Sequence, residues 1–114
     1  MPAFNFQKRF AERVRAGVKC QTIRTRRKHP PRVGQTAYLY VGLRATGTEK
    51  LGEGVIWRVR TLLIQDGAVY LEGKLLDGVD LFSFAQADGF ADVNAFRLFF
   101  GHNFDGHCVE WRAA

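Results

Sequence analysis

Near the start of the chain apolar residues recur every four positions. Phe6, Phe10 and Val14 are spaced this way, with Lys8, Arg9, Glu12, Arg13 and Arg15 around them. That period predicts an amphipathic helix over roughly residues 5–16. Asn5 can cap its start, and Gly17 suits the left-handed position that stops it. Residues 24–35 carry Pro30, Pro31 and Gly34 among basic side chains and must be a loop, because two prolines forbid regular pairing. The near-continuous apolar run at 36–42 predicts a strand buried on both faces, followed by a polar turn region at 43–53. Residues 54–64 predict the longest strand, with Val55, Trp57 and Val59 on one face and Ile56, Arg58, Arg60 and Leu62 on the other. Gln65-Asp66-Gly67-Ala68 is a hairpin turn of the Asp-Gly kind, leading to a strand at 68–76. A short helix is expected at 80–87. A second helix at 93–101 is capped by Asp92 and striped by Val93, Phe96, Phe99 and Phe100. Phe104 to Arg112 closes the chain as a last strand.

Strands outnumber helices, and strand and helix do not alternate, which argues against a parallel nucleotide-binding sheet. The pattern fits an α+β fold: a small, curved mixed sheet or β-barrel with two or three flanking helices, in one domain spanning residues 1–114. Gly-rich phosphate loops of the dinucleotide or Walker kind are absent from the sequence.

Composition narrows the setting. The apolar fraction of 46%, with ten Phe and two Trp, suits a folded globule. No apolar run is long enough to span a bilayer. Met1-Pro2-Ala3-Phe4-Asn5 shows no basic segment leading into an apolar stretch, so Cys20 and Cys108 are expected as reduced thiols in the cytoplasm. The net charge of +6 is polarised: residues 8–32 carry +9, residues 33–65 carry +2 and residues 66–114 carry −5. A field concentrated in this way faces polyanions, and nucleic acid or a nucleotide is the expected partner rather than a membrane.

The candidate chemistry begins where the first helix is expected to stop, at Gly17-Val18-Lys19-Cys20-Gln21-Thr22-Ile23-Arg24. In an extended segment Thr22 and Arg24 project to one side, and the turn after Gly17 would have to bring Lys19 round to them. A lysine enclosed beside arginines has its pKa lowered by desolvation and like charge, so it could act as a base toward the Thr22 hydroxyl. Lys19 and Thr22 could equally serve as plain polar contacts. Arg24, Arg26, Arg27, Lys28 and Arg32 place five cations in nine residues, a density that suits successive phosphates. Arg58 and Arg60 share a strand face and could widen that surface. Asp88 could hold the Lys19 ammonium across a cleft or shuttle its proton, and it could also be a surface residue at a helix end. His102, Asp105, His107 and Cys108 match no common zinc spacing, so no metal and no cofactor are expected. Trp57, Trp111, Tyr38 and Tyr40 read as core more readily than as stacking platforms.

Taken in order, several segments resemble the ASCH domain family, whose fold is similar to that of the PUA domains. They are Phe6-Gln7-Lys8-Arg9-Phe10, Ala16 to Arg24, Gly34 before a strand, Ala87-Asp88-Gly89-Phe90 and a terminal strand ending in Trp111. The resemblance spans nearly the whole chain, and its most specific part is Gly-x-Lys-x-x-Thr-x-Arg. It implies a PUA-like β-barrel with flanking helices, a cleft beside that element, and RNA or nucleotide binding. One branch of the family resembles small amidohydrolases that remove the acetyl group from N4-acetylcytidine with a Lys, a Thr and a Glu. Lys19 and Thr22 fall on the first two of those positions, and Asp88 falls where that branch has Glu. Another branch resembles ribonucleases, so a metal-independent ribonuclease is a further expectation.

Overall fold

The computed structural model describes residues 2–43 and 47–114. Its centre is the 17-residue strand β4 (Glu49–Gln65). The first part of β4 pairs antiparallel with β3 (Thr36–Val41), and its end pairs with β5 (Ala68–Leu71), which continues to β6 (Lys74–Leu76). Along its opposite edge runs β7 (Phe104–Ala113), which in turn pairs with β2 (Gln21–Thr25). Gly54 is paired on both edges, to Ala37 of β3 and to Ala113 of β7, and Leu62 is paired to Leu71 of β5 and Gly106 of β7. The strand β1 (Ala3–Phe6) lies parallel to β3. The seven strands form one mixed sheet that curls into a half-barrel. A 3₁₀ turn (Lys8–Phe10) and the helices α1 (Ala11–Arg15), α2 (Gly78–Ala87) and α3 (Val93–Phe100) flank it, so the α+β fold expected from the pattern is present. No helix among the described residues is long and apolar enough to cross a membrane.

The largest departure from the pattern is at the start. Residues 3–6 form a strand, and only Ala11–Arg15 are α-helical. Phe6, Phe10 and Val14 are all buried, but the four-residue period crosses a strand, a 3₁₀ turn and a helix. Parallel pairing with β3 seats Phe4 and Phe6 on the core, a tertiary gain that overrides local helix preference. Asn5 therefore caps nothing; its side-chain oxygen accepts from the Leu43 backbone N–H at 3.0 Å. Gly17 does stop the helix, at φ +75°. In β3 only Ala37 and Leu39 are buried, while Tyr38 and Tyr40 stay half exposed, so burial is one-sided rather than two-sided. The turn region expected at 43–53 is shorter, because β4 begins at Glu49; residues 44–46 lie outside the described residues.

The long strand keeps its place but not its faces. A bulge at Trp57 sets Ile56 opposite Trp111 and Arg58 opposite Glu110. Beyond it Val59 faces Val109, which shares a side of β7 with Trp111. Ile56 and Val59 therefore share a face, and Arg58, Arg60 and Leu62 take the other; strict alternation had separated Ile56 from Val59. The Asp66-Gly67 hairpin is as expected, with both residues at positive φ. The strand expected at 68–76 is broken by a second turn of the same kind at Glu72-Gly73. Asp92 caps α3, accepting from Ala95 N–H at 2.8 Å. Phe84, Phe90, Phe96 and Phe100 pack around that helix, edge-to-face except for the tilted Phe96–Phe100 pair, and Trp111 rests on Phe4 and Phe6.

β7 crosses β2 so closely that Gly106 has no room for a side chain. A Cβ there would stand 2.1 Å from the Arg24 carbonyl oxygen and 2.8 Å from the Phe104 ring. Gly106→Ala must push the two strands apart and is expected to cost about 3 kcal/mol. Gly73→Ala, in an open turn at φ +78°, is expected to cost about 1 kcal/mol. Urea unfolding of the two variants checks the order, and equal midpoints would contradict it.

Candidate functional site

The ends of two helices and one edge of β2 build the site. At the end of α1, Gly17 N–H donates to the Val14 carbonyl and Val18 N–H to the Arg13 carbonyl. At the end of α2, Gly89 N–H donates to Gln86 and Phe90 N–H to Ala85. Both are glycine-terminated Schellman turns. The first reverses the chain so that Lys19 enters the interior; the second leaves Asp88 as the last residue before the turn. A Cβ on Gly89 would lie 2.8 Å from the Phe10 ring, so a glycine is needed for that ring to close over the pair.

Lys19 and Asp88 meet in the core, 3% and 4% exposed. The Lys19 ammonium lies 3.2 Å from Asp88 Oδ1 and donates to the Asp88 carbonyl oxygen at 2.6 Å, so it also caps the C-terminal end of α2. It sits 5.6 Å from the Phe6 ring centre and 5.2 Å from that of Phe10. Gln21 Nε2 donates to Asp88 Oδ1 at 3.3 Å. On the other side of β2, Arg24 Nε donates to Thr22 Oγ1 at 2.9 Å and Arg24 Nη2 to the Asn5 carbonyl at 3.0 Å, with the guanidinium 5.3 Å from the Phe4 and Phe6 rings. Lys19, Thr22, Arg24 and Asp88 all border one cavity of about 180 Å³, walled by Phe6, Phe10, Phe90, Phe99 and Phe100 and edged by Asn5 and Gln7.

The register explains why groups from both faces of β2 reach this cavity. Trp111 N–H donates to Cys20 O, and Arg26 N–H donates to Asp105 O. The even-numbered residues of β2 therefore turn their backbone groups toward β7, and Gln21, Ile23 and Thr25 turn theirs away from it. Among the described residues β2 pairs with β7 alone, so its second edge borders the cavity.

Burial sets the electrostatics. It lowers the Lys19 pKa below 10.5 and raises that of Asp88 above 3.8, in each case against their mutual attraction. The Arg24 guanidinium is brought down to about 10, first by burial and then by the like charge of Arg27. Cys108, beside the pair, is pushed up to about 12 by burial and the nearby carboxylates Asp88 and Glu110, so its thiol is inert as a nucleophile. Both cysteines are free.

The remaining candidates separate. Arg26 is held by Asp105 through two hydrogen bonds of 3.0 and 3.1 Å. Arg58 and Arg60 do not border the cavity. Both engage Glu110, Arg58 with a 2.8 Å hydrogen bond and Arg60 at 3.2 Å, and Arg58 also stacks on Trp57. They do not extend a cleft-side cationic surface, because both side chains are drawn to the one carboxylate of Glu110 on the neighbouring strand. Arg27, Lys28 and Arg32 are exposed and have no carboxylate partner among the described residues. Asp88 is at a helix end, but it is buried rather than on the surface. Gln21, Asn5, Gln7 and the phenylalanine wall were not singled out by residue type; only Gln21's place between Lys19 and Thr22 marked it. Asp88 is one methylene shorter than Glu, and Gly89 brings the helix end close enough for it to reach Lys19. Among the described residues no group of three or more His, Cys, Asp or Glu side chains could hold a metal ion.

Comparison of the chain with known families, with curated proteins and with solved structures found no match.

Asp88→Asn removes the carboxylate that compensates Lys19. The unfolded chain keeps the lysine proton up to about pH 10.5, and the folded variant releases it earlier. The variant therefore loses stability as pH falls from that value toward the lowered pKa. Urea unfolding near neutral pH is expected to place it about 3 kcal/mol below the parent protein, with the gap narrowing as pH rises toward 10. A gap that ignores pH would mean that the lysine charge is not what Asp88 balances.

Proposed function

We propose that the protein binds RNA or a nucleotide, taking one base into the cavity between Phe10, Phe90 and the edge of β2. The observation that carries this reading is the Lys19–Asp88 pair on the wall of that cavity. A buried ion pair gives little or no stability over apolar side chains of the same shape. Its charges, placed beside an aromatic-walled opening with shifted pKa values, are better explained by a polar ligand. Aromatic walls suit a planar base, and Arg24, Thr22, Asn5 and Gln7, which border the cavity, supply donors and acceptors at its edges. The cavity is small for a whole nucleotide, so sugar and phosphate would lie outside it, toward the cationic 26–32 loop. The resemblance to ASCH domains points to the same ligand class, and the two free thiols suit a cytoplasmic setting. Binding of a labelled single-stranded RNA at low salt is expected to weaken at least tenfold as salt is raised to physiological strength. Thr22→Val combined with Arg24→Met should weaken it further at every salt concentration. RNA that does not bind, or binding that ignores salt, would overturn the reading.

A second reading, deacetylation of an N4-acetylcytidine-type nucleoside by Lys19, Thr22 and Asp88, is favoured by one arrangement. The Thr22 oxygen accepts from Arg24, which leaves its own proton free to donate, and burial has lowered the pKa of the lysine bordering the same cavity. In this reading Thr22 Oγ attacks the acetyl carbonyl and its proton passes by way of Lys19 to the departing amine. Water then releases acetate from the threonine ester. Turnover of N4-acetylcytidine by the parent protein and its loss, by at least a hundredfold, in Lys19→Ala would support it. Equal rates, or no turnover at all, would remove it. The same samples incubated with RNA in chelator report on metal-independent ribonuclease activity.

A further inference from the structure

The loop between β2 and β3 is built, not merely charged. Its start is fixed by Arg26, whose backbone N–H donates to Asp105 O and whose guanidinium is clamped by the Asp105 carboxylate. Its end is fixed by Gly34 N–H on the Ile56 carbonyl and by Ile56 N–H on Gln35 O, at 2.8 and 2.9 Å. Between these points Arg32 N–H donates to Gln35 Oε1 at 2.8 Å, Gln35 N–H returns to Arg32 O at 3.2 Å, and Pro30 and Pro31 restrict the backbone. The segment encloses an open hollow of about 470 Å³ lined by Arg27, His29, Pro31, Arg32 and Gln35, with no carboxylate among its walls.

The charges around this hollow are unbalanced. Asp105 neutralises Arg26, but Arg27 and Arg32 have no anionic partner among the described residues. Arg27 lies three residues beyond Arg24, and its charge is felt there: after burial it is the chief cause of the lowered Arg24 pKa, ahead of the opposing pull of Asp88. An anion seated in the hollow would relieve that repulsion and could accept from the guanidinium groups of Arg27 and Arg32, which line it.

We propose that this hollow is a phosphate subsite, so that the preferred ligand is a phosphorylated nucleotide or an RNA end rather than a free nucleoside. This rests on the reading that the neighbouring cavity takes the base. The ligand then spans two compartments. The cavity holds the base by stacking and edge contacts, and the loop holds the phosphate through Arg27 and Arg32. Arg26 is a brace that sets the loop's conformation.

Calorimetric titration with cytidine, uridine, adenosine and guanosine, with their 5′- and 3′-monophosphates, and with inorganic phosphate tests this. At low salt at least one monophosphate is expected to bind ten times or more tighter than its nucleoside, and the preferred isomer reports which end of the sugar faces the loop. In the Arg27→Gln/Arg32→Gln variant that advantage should fall to less than threefold, with nucleoside affinity unchanged. Thermal melting of the variant verifies that it is folded. Nucleosides that bind as well as every monophosphate would overturn the subsite and leave the base cavity standing. Monophosphates that bind no better than inorganic phosphate, while no nucleoside binds, would overturn the base cavity and the two-compartment ligand together. An advantage for monophosphates that survives in the variant would place the phosphate elsewhere and overturn this assignment.

Discussion

An ammonium and a carboxylate buried side by side are the constraint around which this small protein is arranged. Desolvation of the two ions costs several kcal/mol each, and their attraction recovers that only with good geometry and further hydrogen bonds. The fold supplies them. Lys19 has the Asp88 carboxylate, the final carbonyl of α2 and two phenylalanine rings, and Asp88 has Gln21 besides. The carboxylate stands at the negative end of the α2 dipole, an unfavourable place for it unless a cation is near. Two glycine turns, at Gly17 and Gly89, make the meeting possible by reversing the chain at both helix ends.

The sheet frames this pair. β4 is long enough to serve three partners, and the bulge at Trp57 lets its two halves follow the curl of the half-barrel. β7 carries β2 on its outer side, which leaves one edge of β2 for the cavity. Charge is divided in the same way. Arg26 is paired with Asp105, and Arg58 and Arg60 share Glu110; both carboxylates are on β7, so strand pairing itself engages these three cations. Among the cations without a carboxylate partner in the described residues are three that a ligand can use: Arg24 at the cavity, and Arg27 and Arg32 on the loop.

Much of the secondary structure was legible in the sequence because it follows local rules. The Asp66-Gly67 hairpin, the Asp92 cap and the final strand are each fixed by residues close together in the chain. The helix stop at Gly17 needed only a glycine. Reading failed where distant partners decided. Residues 3–6 became a strand because β3 lay alongside, and the faces of β4 crossed because Trp57 bulges against β7. The site was legible as a set of residue types at Lys19, Thr22, Arg24 and Asp88, but its second layer of Gln21, Asn5 and the phenylalanine wall was not.

Sequence alone determined which chemistry was present: a cation, a hydroxyl and a guanidinium within six residues of one another, a dense cationic loop, and turns and caps that depend only on neighbours. Tertiary structure alone decided which charges are spent and which are free. Asp88 lies 69 residues from Lys19, Asp105 lies 79 from Arg26, and Glu110 lies 52 from Arg58. Neutralisation acts through space over a few ångströms, while residue type and spacing describe distance along the chain, so only the folded arrangement could separate the cations of the framework from those of the site.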